Sequence, residues 1–350
     1  MNTKFLISGL GAVILAAGLF AQAPATARDL TVVSWGGAYQ DAQREVYFKP
    51  FMDGMKVKML EESWDGGVGV LRSKIQGGNN NWDVVQVESE ELVVGCEEGL
   101  YEKIDWAKLG GKDKFPPAAV HDCGVGAIVY NFIISYDGDK IKDGPKNWAD
   151  FWNVQKWPGK RALRKGPKTN LEIALMGDGV PAGEVYKMLA TEAGIERAYK
   201  KLDQLKPNLV WWEKGSQPPQ LLASGEVTMT SAYNGRISAA NKTDKKNFKI
   251  VWTNSLYTID SWVIMKGTPN KAQAEQYIAF VSDPQHQKDL PPKIPYGVTT
   301  KAATPLIDKM VLPELPTAPE NIATAVYINE PFWVENIDKM NQRFNAWVAR

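Results

Sequence analysis

The acidic residue best suited to ligand chemistry is Asp260, because it stands in an apolar, strand-like stretch, YTIDSW (Tyr257–Trp262). A carboxylate buried there without a partner is costly, since the protein replaces the water that would solvate its charge. Such a group is protonated, paired with a fixed cation, or left to bind a positively charged ligand. Arg236 is one cation that could pair with it, so the sequence leaves these three alternatives open.

A basic stretch offers the opposite charge just before a predicted helix. In RALRKGPKTNLEIAL (Arg161–Leu175), Thr169 and Glu172 have the spacing of a capping box, which predicts that a helix begins there. The free N–H groups at a helix N-terminus favour an anion such as a carboxylate. Three cations lie nearby: Arg164, Lys165 and Lys168. Thr169 and Asn170 are therefore candidate ligand contacts, and the alternative is that the cations form a solvated charged turn.

Other polar residues could reach the same site from two loops. Glu88 and Glu90, in VVQVESEEL, follow another predicted strand and could provide a second contact for an amine. Alternatively, they begin the next helix, where acidic side chains complement the helix dipole. Gln217 lies in the polar loop GSQPPQ (Gly215–Gln220) and is a candidate hydrogen-bond partner for a ligand.

The first 27 residues have the layout of a secretory signal peptide. Lys4 is the only charged side chain among them, an apolar run extends from Phe5 to Phe20, and small residues end in the A-x-A site Ala25–Ala27. We expect cleavage after this site and a soluble, exported protein, the alternative being a retained N-terminal anchor. Residues 28–350 then contain 40 basic and 40 acidic side chains, which argues against nucleic-acid or anionic-membrane partners.

The sequence contains little that indicates an enzyme. The motifs G-x-S-x-G and H-E-x-x-H and the P-loop are absent from its 350 residues, and two histidines provide few groups for acid–base catalysis or a metal site. Cys96 and Cys123 are the two cysteines, and in an exported chain we expect them to pair. The alternative is a nucleophilic or metal-binding thiol, with His121 close to Cys123. We expect no catalytic residues, no cofactor and no metal.

Strand-like and helix-like segments alternate along the chain, which is typical of an α/β fold. The predicted strands include LTVVSW, VKMLEES, DVVQVES, GAIVYNFIISYD and LVWW, with NFKIVWT and YTIDSWVIMKG as two further strands. More than 300 residues are too many for one ordinary core, so we expect two lobes around a hinged cleft. Residues 28–134 and 262–310 would form lobe 1, and residues 135–261 and 311–350 would form lobe 2.

A set of motifs occurs in a fixed order after the predicted signal peptide: SWGGAY, GCEEGLYEKIDW, WADFW with WPGKRAL, SGEVTMTSAYNGR, IDSWVI and IPYGVTTKAA. Together they resemble the polyamine-type periplasmic solute-binding proteins of bacterial ABC importers. The resemblance implies a two-lobed type II periplasmic-binding-protein fold that captures a solute between its lobes. It also implies delivery of the solute to a permease in the inner membrane. We expect the protein to be a monomer in the periplasm.

The resemblance also implies which residues contact the ligand. In polyamine-binding members, an Asp at the matching place of the DS motif binds a ligand ammonium, and here that residue is Asp260. The aromatic residues that enclose the ligand's methylene chain would be Trp35, Tyr39 and Tyr233, because ring faces attract organic cations. The alternative for each ring is core packing, since the chain has 36 Trp, Tyr and Phe residues.

One departure from the family pattern changes the expected ligand. Polyamine binders place two acidic residues just before the helix that opens the second lobe, where this chain has Gly166 and Thr169. A basic turn there favours a carboxylate opposite Asp260, so we predict a zwitterion, either an ω-amino acid or a betaine-like compound. A polyamine is the alternative, with Glu88 or Glu90 supplying the second acid. A thiaminase-like enzyme with a Cys nucleophile and a ferric-ion-binding protein are two further alternatives.

Overall fold

The computed structural model describes residues 28–350, and the predicted signal peptide lies outside this range. Ten strands run through the described residues: β1 (Leu30–Ser34), β2 (Met59–Ser63), β3 (Val84–Val87), β4 (Val120–His121), β5 (Gly124–Asp137), β6 (Arg161–Arg164), β7 (Leu209–Trp212), β8 (Met229–Tyr233), β9 (Phe248–Ile264) and β10 (Val326–Tyr327).

The helices of the same residues are α1 (Gly37–Gln43), α2 (Lys49–Met55), α3 (Val68–Gln76), α4 (Ser89–Glu97), α5 (Trp148–Phe151), α6 (Asn170–Gly177), α7 (Val185–Leu189), α8 (Glu192–Leu205), α9 (Gln217–Ser224), α10 (Asn234–Thr243), α11 (Lys271–Val281), α12 (Pro284–Gln287), α13 (Pro319–Ile322) and α14 (Glu330–Val348). A π-helical turn, Arg44–Phe48, joins α1 to α2. Among the described residues, no helix combines the length and the apolar character needed to cross a membrane.

The strands form one mixed sheet in the order β2-β1-β3-β9-β5-β8-β6-β7, with β10 beside β9 and β4 beside β5. The strands β1, β2 and β3 form a first strand group, in which β1 pairs in parallel with the other two. The strands β6, β7 and β8 form a second strand group, in which β6 pairs in parallel with the other two. Parallel neighbours need crossover connections, which the helices between these strands provide. The fold is therefore α/β, as the alternating pattern predicted.

Two long antiparallel strands, β5 and β9, join the two strand groups. The end of β9 pairs with β3 of the first group, whereas the end of β5 pairs with β8 of the second group. Between these ends the register of the ladder shifts, because Phe132 faces Leu256 whereas Ile134 faces Val251. The ladder is thus irregular at the place where the chain passes from one group to the other.

The prediction of two separate strands in the stretch that became β9 was wrong. The strand is continuous from Phe248 to Ile264. Asn254 has a left-handed φ of 54°, a conformation that Asn tolerates better than most residues. The stretch between the two predicted strands therefore forms a bend within one strand.

The predicted helix start at Asn170 is confirmed, but the predicted capping box is absent. Thr169 has a φ of 72°, and its hydroxyl has no hydrogen-bond partner within the described chain. Glu172 is buried and accepts hydrogen bonds from Trp333 Nε1 at 2.7 Å and from the Tyr186 hydroxyl at 2.8 Å. Its carboxylate therefore connects α6 to α7 and α14 instead of capping the helix.

The predicted disulfide is confirmed. Cys96 of α4 and Cys123, which directly precedes β5, are bonded with a Cα–Cα distance of 5.7 Å. They are the two cysteines of the sequence, so neither provides a free thiol. The thiaminase-like alternative needs a free cysteine in the cleft and is therefore not supported.

Candidate ligand-binding site

A cavity opens where the first and second strand groups meet across β5 and β9. The space between its walls, including the solvent to which it opens, is about 460 Å³. Five of the eight residues predicted to contact a ligand line it: Trp35, Tyr39, Glu88, Tyr233 and Asp260. The loop after β1, the middle of β5 and β9, and the start of α10 all contribute to its walls.

Six aromatic side chains line the cavity: Trp35, Tyr39, Trp64, Tyr130, Tyr233 and Tyr296. Trp35 stacks on Trp64 with 5.3 Å between ring centroids. Tyr39 meets Tyr296 edge to face at 5.2 Å. Rings that pack on one another present rigid faces to a ligand, and the negative charge of those faces attracts organic cations. The wall is therefore suited to an ammonium group and its methylene chain.

Asp260 is buried in β9, opposite Ile128 of β5. Gln86 donates a long hydrogen bond to Oδ2, at 3.4 Å, whereas Oδ1 has no partner in the described part of the chain. Burial raises the pKa of Asp260 well above its usual value, and the negative charges of Glu88 and Glu91 raise it further. A cationic ligand at Oδ1 would offset the cost of burying this charge.

Arg236, in the first turn of α10, reaches the cavity from the second strand group. Its Nη1 donates to the Gly36 carbonyl at 2.7 Å and its Nη2 to the Trp35 carbonyl at 3.1 Å, while Nε is buried without a partner among the described residues. Gly37 makes room for this contact, because it has a φ of 54° and a Cβ there would lie 2.9 Å from Nη1. Arg236 therefore binds backbone carbonyls instead of Asp260, contrary to the structural ion pair considered from the sequence.

The other charged side chains of the cavity wall have partners of opposite charge. The pairs and their N–O distances are Arg164–Glu88 at 2.7 Å, Lys214–Asp65 at 3.5 Å and Lys165–Glu213 at 3.0 Å. Within residues 28–350, Asp260 and Arg236 thus remain as one negative and one positive side chain that face the cavity without a charged partner. A ligand that carries both charges would complement them.

The basic stretch before α6 is largely buried, so the alternative of a solvated turn does not hold for Arg164 and Lys168. Lys168 is held by the carboxylates of both Glu88 and Glu90. Burial raises the pKa of Glu88, but the charges of Arg164 and Lys168 outweigh this effect and lower it to about 2. Glu88 also forms a capping box with Glu91 at the start of α4, the role that was considered as its alternative.

Three predicted contacts lie outside the cavity wall: Thr169, Asn170 and Gln217. The Asn170 amide donates to the carbonyl of Arg164 at 2.5 Å. Gln217 Oε1 accepts hydrogen bonds from the backbone N–H groups of Glu213 and Lys214, both at 2.7 Å. The Asn170 amide thus holds the end of β6, which carries Arg164, and the Gln217 amide holds the loop that carries Lys214.

The sequence reasoning did not identify Trp64, Tyr130 or Tyr296 as lining residues, nor Arg236 as a cation for the ligand. Two of them had a signal, since Tyr130 lies in the predicted strand GAIVYNFIISYD and Tyr296 lies in the motif IPYGVTTKAA. Neither pattern shows which side of the strand or loop faces the cleft. Which side faces the cleft depends on how β5 pairs with β9.

Comparisons with known proteins place the chain in a family. Residues 48–319 match the family described as "Bacterial extracellular solute-binding protein". The gamma-aminobutyric acid-binding protein of Pseudomonas aeruginosa is 48% identical over 330 residues, which is 94% of each chain. The spermidine/putrescine-binding periplasmic protein of Escherichia coli is 24% identical over 311 residues, which is 80% of this chain and 86% of that one.

A solved structure of similar architecture is that of the periplasmic binding protein MotA from A. tumefaciens B6 in complex with glucopine. It has a TM-score of 0.86 and 29% identity, and the match covers 92% of this chain and 100% of that one. The likeness confirms the two-lobed periplasmic-binding-protein fold that the motifs implied. The chain belongs to the bacterial extracellular solute-binding proteins.

Proposed function

We propose that the protein is the periplasmic receptor of an ABC importer and that its solute is an ω-amino acid of the size of γ-aminobutyric acid (GABA). The observation that carries this proposal is a pair of opposite charges, Asp260 and Arg236, which line one aromatic cavity and have no charged partner in the described residues. The 48% identical GABA-binding protein supports the same class of ligand.

The ligand's ammonium binds Asp260 and donates to Oδ1, the oxygen that lacks a partner. A charge-assisted hydrogen bond of this kind contributes about 1.5–3 kcal/mol. Gln86 bonds both the Tyr39 hydroxyl and the Asp260 carboxylate, and Tyr39 and Tyr130 line the same cavity as Asp260. Each ring face that meets the ammonium adds ~0.5–2 kcal/mol once water is excluded.

The ligand's carboxylate binds Arg236, whose Nε is a free donor. The carbonyls of Gly36 and Trp35 already orient the guanidinium, so little side-chain entropy is lost when the ligand arrives. An aliphatic chain between the two charged ends lies against the aromatic wall. The distance between the two ends of the site then selects the length of the amino acid.

The permease recognises the form of the protein in which the two lobes have closed around the ligand. We place the hinge at the irregular part of the β5–β9 ladder, at Phe132–Ile134 and residues 251–256. The lobe boundary in β9 then moves from residue 262 to this point, because Asp260 pairs with Ile128 on the side of the first strand group. With this boundary the ammonium binds one lobe and the carboxylate binds the other, so the ligand bridges both lobes and stabilises the closed state.

The remaining parts of the proposal concern partners and location. The protein acts as a monomer in the periplasm, delivers its solute to an inner-membrane permease and catalyses no reaction. A secretory signal in residues 1–27 and the extracellular family of the chain support this location.

Calorimetric titration of the protein with GABA and three analogues tests the proposed ligand. Butyrate lacks the amine, butylamine lacks the carboxylate, and putrescine replaces the carboxylate with a second amine. We expect GABA to bind at least about 100-fold more tightly than each analogue, since each leaves one buried charge without a partner. Equal binding of butyrate or butylamine would show that one of the two charged contacts is not made.

A polyamine is the second candidate ligand, because Glu88 lines the same cavity as Asp260. Binding of a polyamine requires that Glu88 release Arg164 or Lys168 and pair with a ligand ammonium instead. In the same titration, tight binding of putrescine or spermidine without binding of GABA would establish this function and reject the ω-amino acid. A betaine added to the panel tests the other zwitterion, which has no N–H group to donate to Asp260.

A further inference from the structure

A second opening adjoins the ligand cavity on the side of α4 and α14. It is lined by the basic stretch before α6 and by acidic residues of α4, and it shares Asp65, Glu88 and Arg164 with the ligand cavity. Its space, including open solvent, is about 1290 Å³. Glu88 therefore lies between the ligand cavity and the second opening and lines both of them.

The ammonium of Lys168 lies beside Glu88, at the boundary between the ligand cavity and the second opening. Only 7% of its side chain is exposed, and the ammonium contacts the carboxylates of both Glu88 and Glu90. Lys168 and Glu88 are 80 positions apart in the sequence, so the contact joins distant parts of the chain. It also joins the first strand group, which α4 follows, to the stretch between β6 and α6 of the second group.

Charge balance explains why the site needs this ammonium. Glu88 and Glu90 are the acids that contact cations there, and Arg164 and Lys168 are the two cations against them, whereas Glu91 accepts hydrogen bonds from the backbone N–H groups of Gly67 and Glu88. Without Lys168, Glu88 would retain Arg164, but Glu90 would lose the cation that it contacts. Two neighbouring buried carboxylates with one cation between them would attract another positive charge.

We propose that Lys168 determines specificity, because its ammonium takes the place that the second ammonium of an α,ω-diamine would otherwise occupy beside Glu88 and Glu90. A diamine bound at Asp260 then finds the carboxylates of Glu88 and Glu90 already paired with cations, so its second ammonium gains no partner and the diamine binds weakly. Removal of Lys168 turns the same boundary into a cation site and the protein into a diamine binder. This inference rests on the proposed function, since it explains how an amino-acid receptor excludes diamines.

The proposal is tested by titration of the full chain and of Lys168→Ala with GABA, putrescine and cadaverine. We expect Lys168→Ala to bind one of the two diamines at least tenfold more tightly than the unchanged protein does. Lys187→Ala is the control, because Lys187 is an exposed lysine that pairs with Glu184 and lines neither opening. It should leave diamine affinity within about twofold of the unchanged protein.

Two further variants keep the test decisive. Lys168→Met removes the charge but keeps the chain that fills the boundary, so its gain in diamine affinity should be smaller than that of Lys168→Ala. Lys168→Ala combined with Glu90→Gln restores the charge balance and should abolish the gain. If Lys168→Ala is too unstable to titrate, diamines should raise its melting temperature and should not raise that of Lys187→Ala.

The outcomes separate this inference from the proposed function. GABA binding by the unchanged protein with no diamine gain in Lys168→Ala, by titration or by melting, overturns the role of Lys168 and leaves the ω-amino acid in place. A diamine gain in Lys168→Ala with no GABA binding by the unchanged protein supports the role of Lys168 and rejects the proposed ligand.

Discussion

Replacement of Asp260 by Asn tests the amine contact, because the two side chains have the same shape and differ by one charge. Oδ1 of Asp260 has no partner in the described chain, so Asp260→Asn disrupts no ion pair of the unliganded site. The ligand loses one charge-assisted hydrogen bond, worth about 1.5–3 kcal/mol. The Kd for GABA should therefore rise about 10- to 150-fold at pH 7.

The same change should have the opposite effect on the unliganded protein. Burial raises the pKa of Asp260 well above its usual value, so the folded state binds a proton there more tightly than the unfolded state does. The free energy of unfolding then falls as the pH rises from the ordinary Asp value of about 4 toward the raised value. Asp260→Asn carries no such cost, so its melting temperature should exceed that of the unchanged protein at pH 8 and approach it near pH 4.

Calorimetric titration and thermal unfolding together measure the two effects. Asp65→Asn is the matched control, because Asp65 lines the same cavity but is 55% exposed and pairs with Lys214. It should change the Kd for GABA less than about threefold. A folded Asp260→Asn protein with an unchanged Kd would refute the amine contact, and a lower melting temperature at pH 8 would refute the cost assigned to the buried charge.

Three other changes probe the carboxylate contact, a buried acid and the disulfide. Arg236→Met should weaken GABA at least about 30-fold in a titration, while butylamine, which has no carboxylate, should change less than about threefold. Burial raises the pKa of Glu172 to about 7, so stability should fall as the pH rises from about 4.5 to 7. Glu172→Gln should therefore raise the free energy of unfolding in urea by up to about 3 kcal/mol at pH 8 and should change it little at pH 4. Joint replacement of Cys96 and Cys123 by Ser opens a loop of 27 residues and should lower the free energy of unfolding in urea by about 2–4 kcal/mol. Effects of the opposite sign would contradict each assignment.

Local patterns were sufficient to predict much of the fold. The alternation of apolar strands and amphipathic helices predicted α/β layers, and the export signal with two cysteines predicted the disulfide that joins Cys96 to Cys123. These features depend on neighbouring residues or on the compartment of the protein. The continuity of β9 was missed, because it depends on pairing with β5 on both sides of the bend at Asn254, and β5 lies more than 100 residues earlier in the chain.

The candidate site was harder to predict, because its properties depend on contacts between distant residues. The sequence indicated an acid at Asp260 and a group of cations before α6, but it does not show which acid neutralises which cation. In the structure Arg164 and Lys168 are both neutralised by acids of α4 and its N-cap. The cation left without a charged partner among the cavity's described residues is Arg236, which the sequence suggested as a partner of Asp260.

A crystal structure of the protein with GABA is the most direct test of the central claim that Asp260 and Arg236 hold opposite ends of one zwitterion. We expect the ligand's nitrogen to lie within hydrogen-bond distance, about 3 Å, of Asp260 Oδ1 and its carboxylate to lie within the same distance of the Arg236 guanidinium. A ligand nitrogen placed at Glu88, or a carboxylate bound away from Arg236, would contradict it.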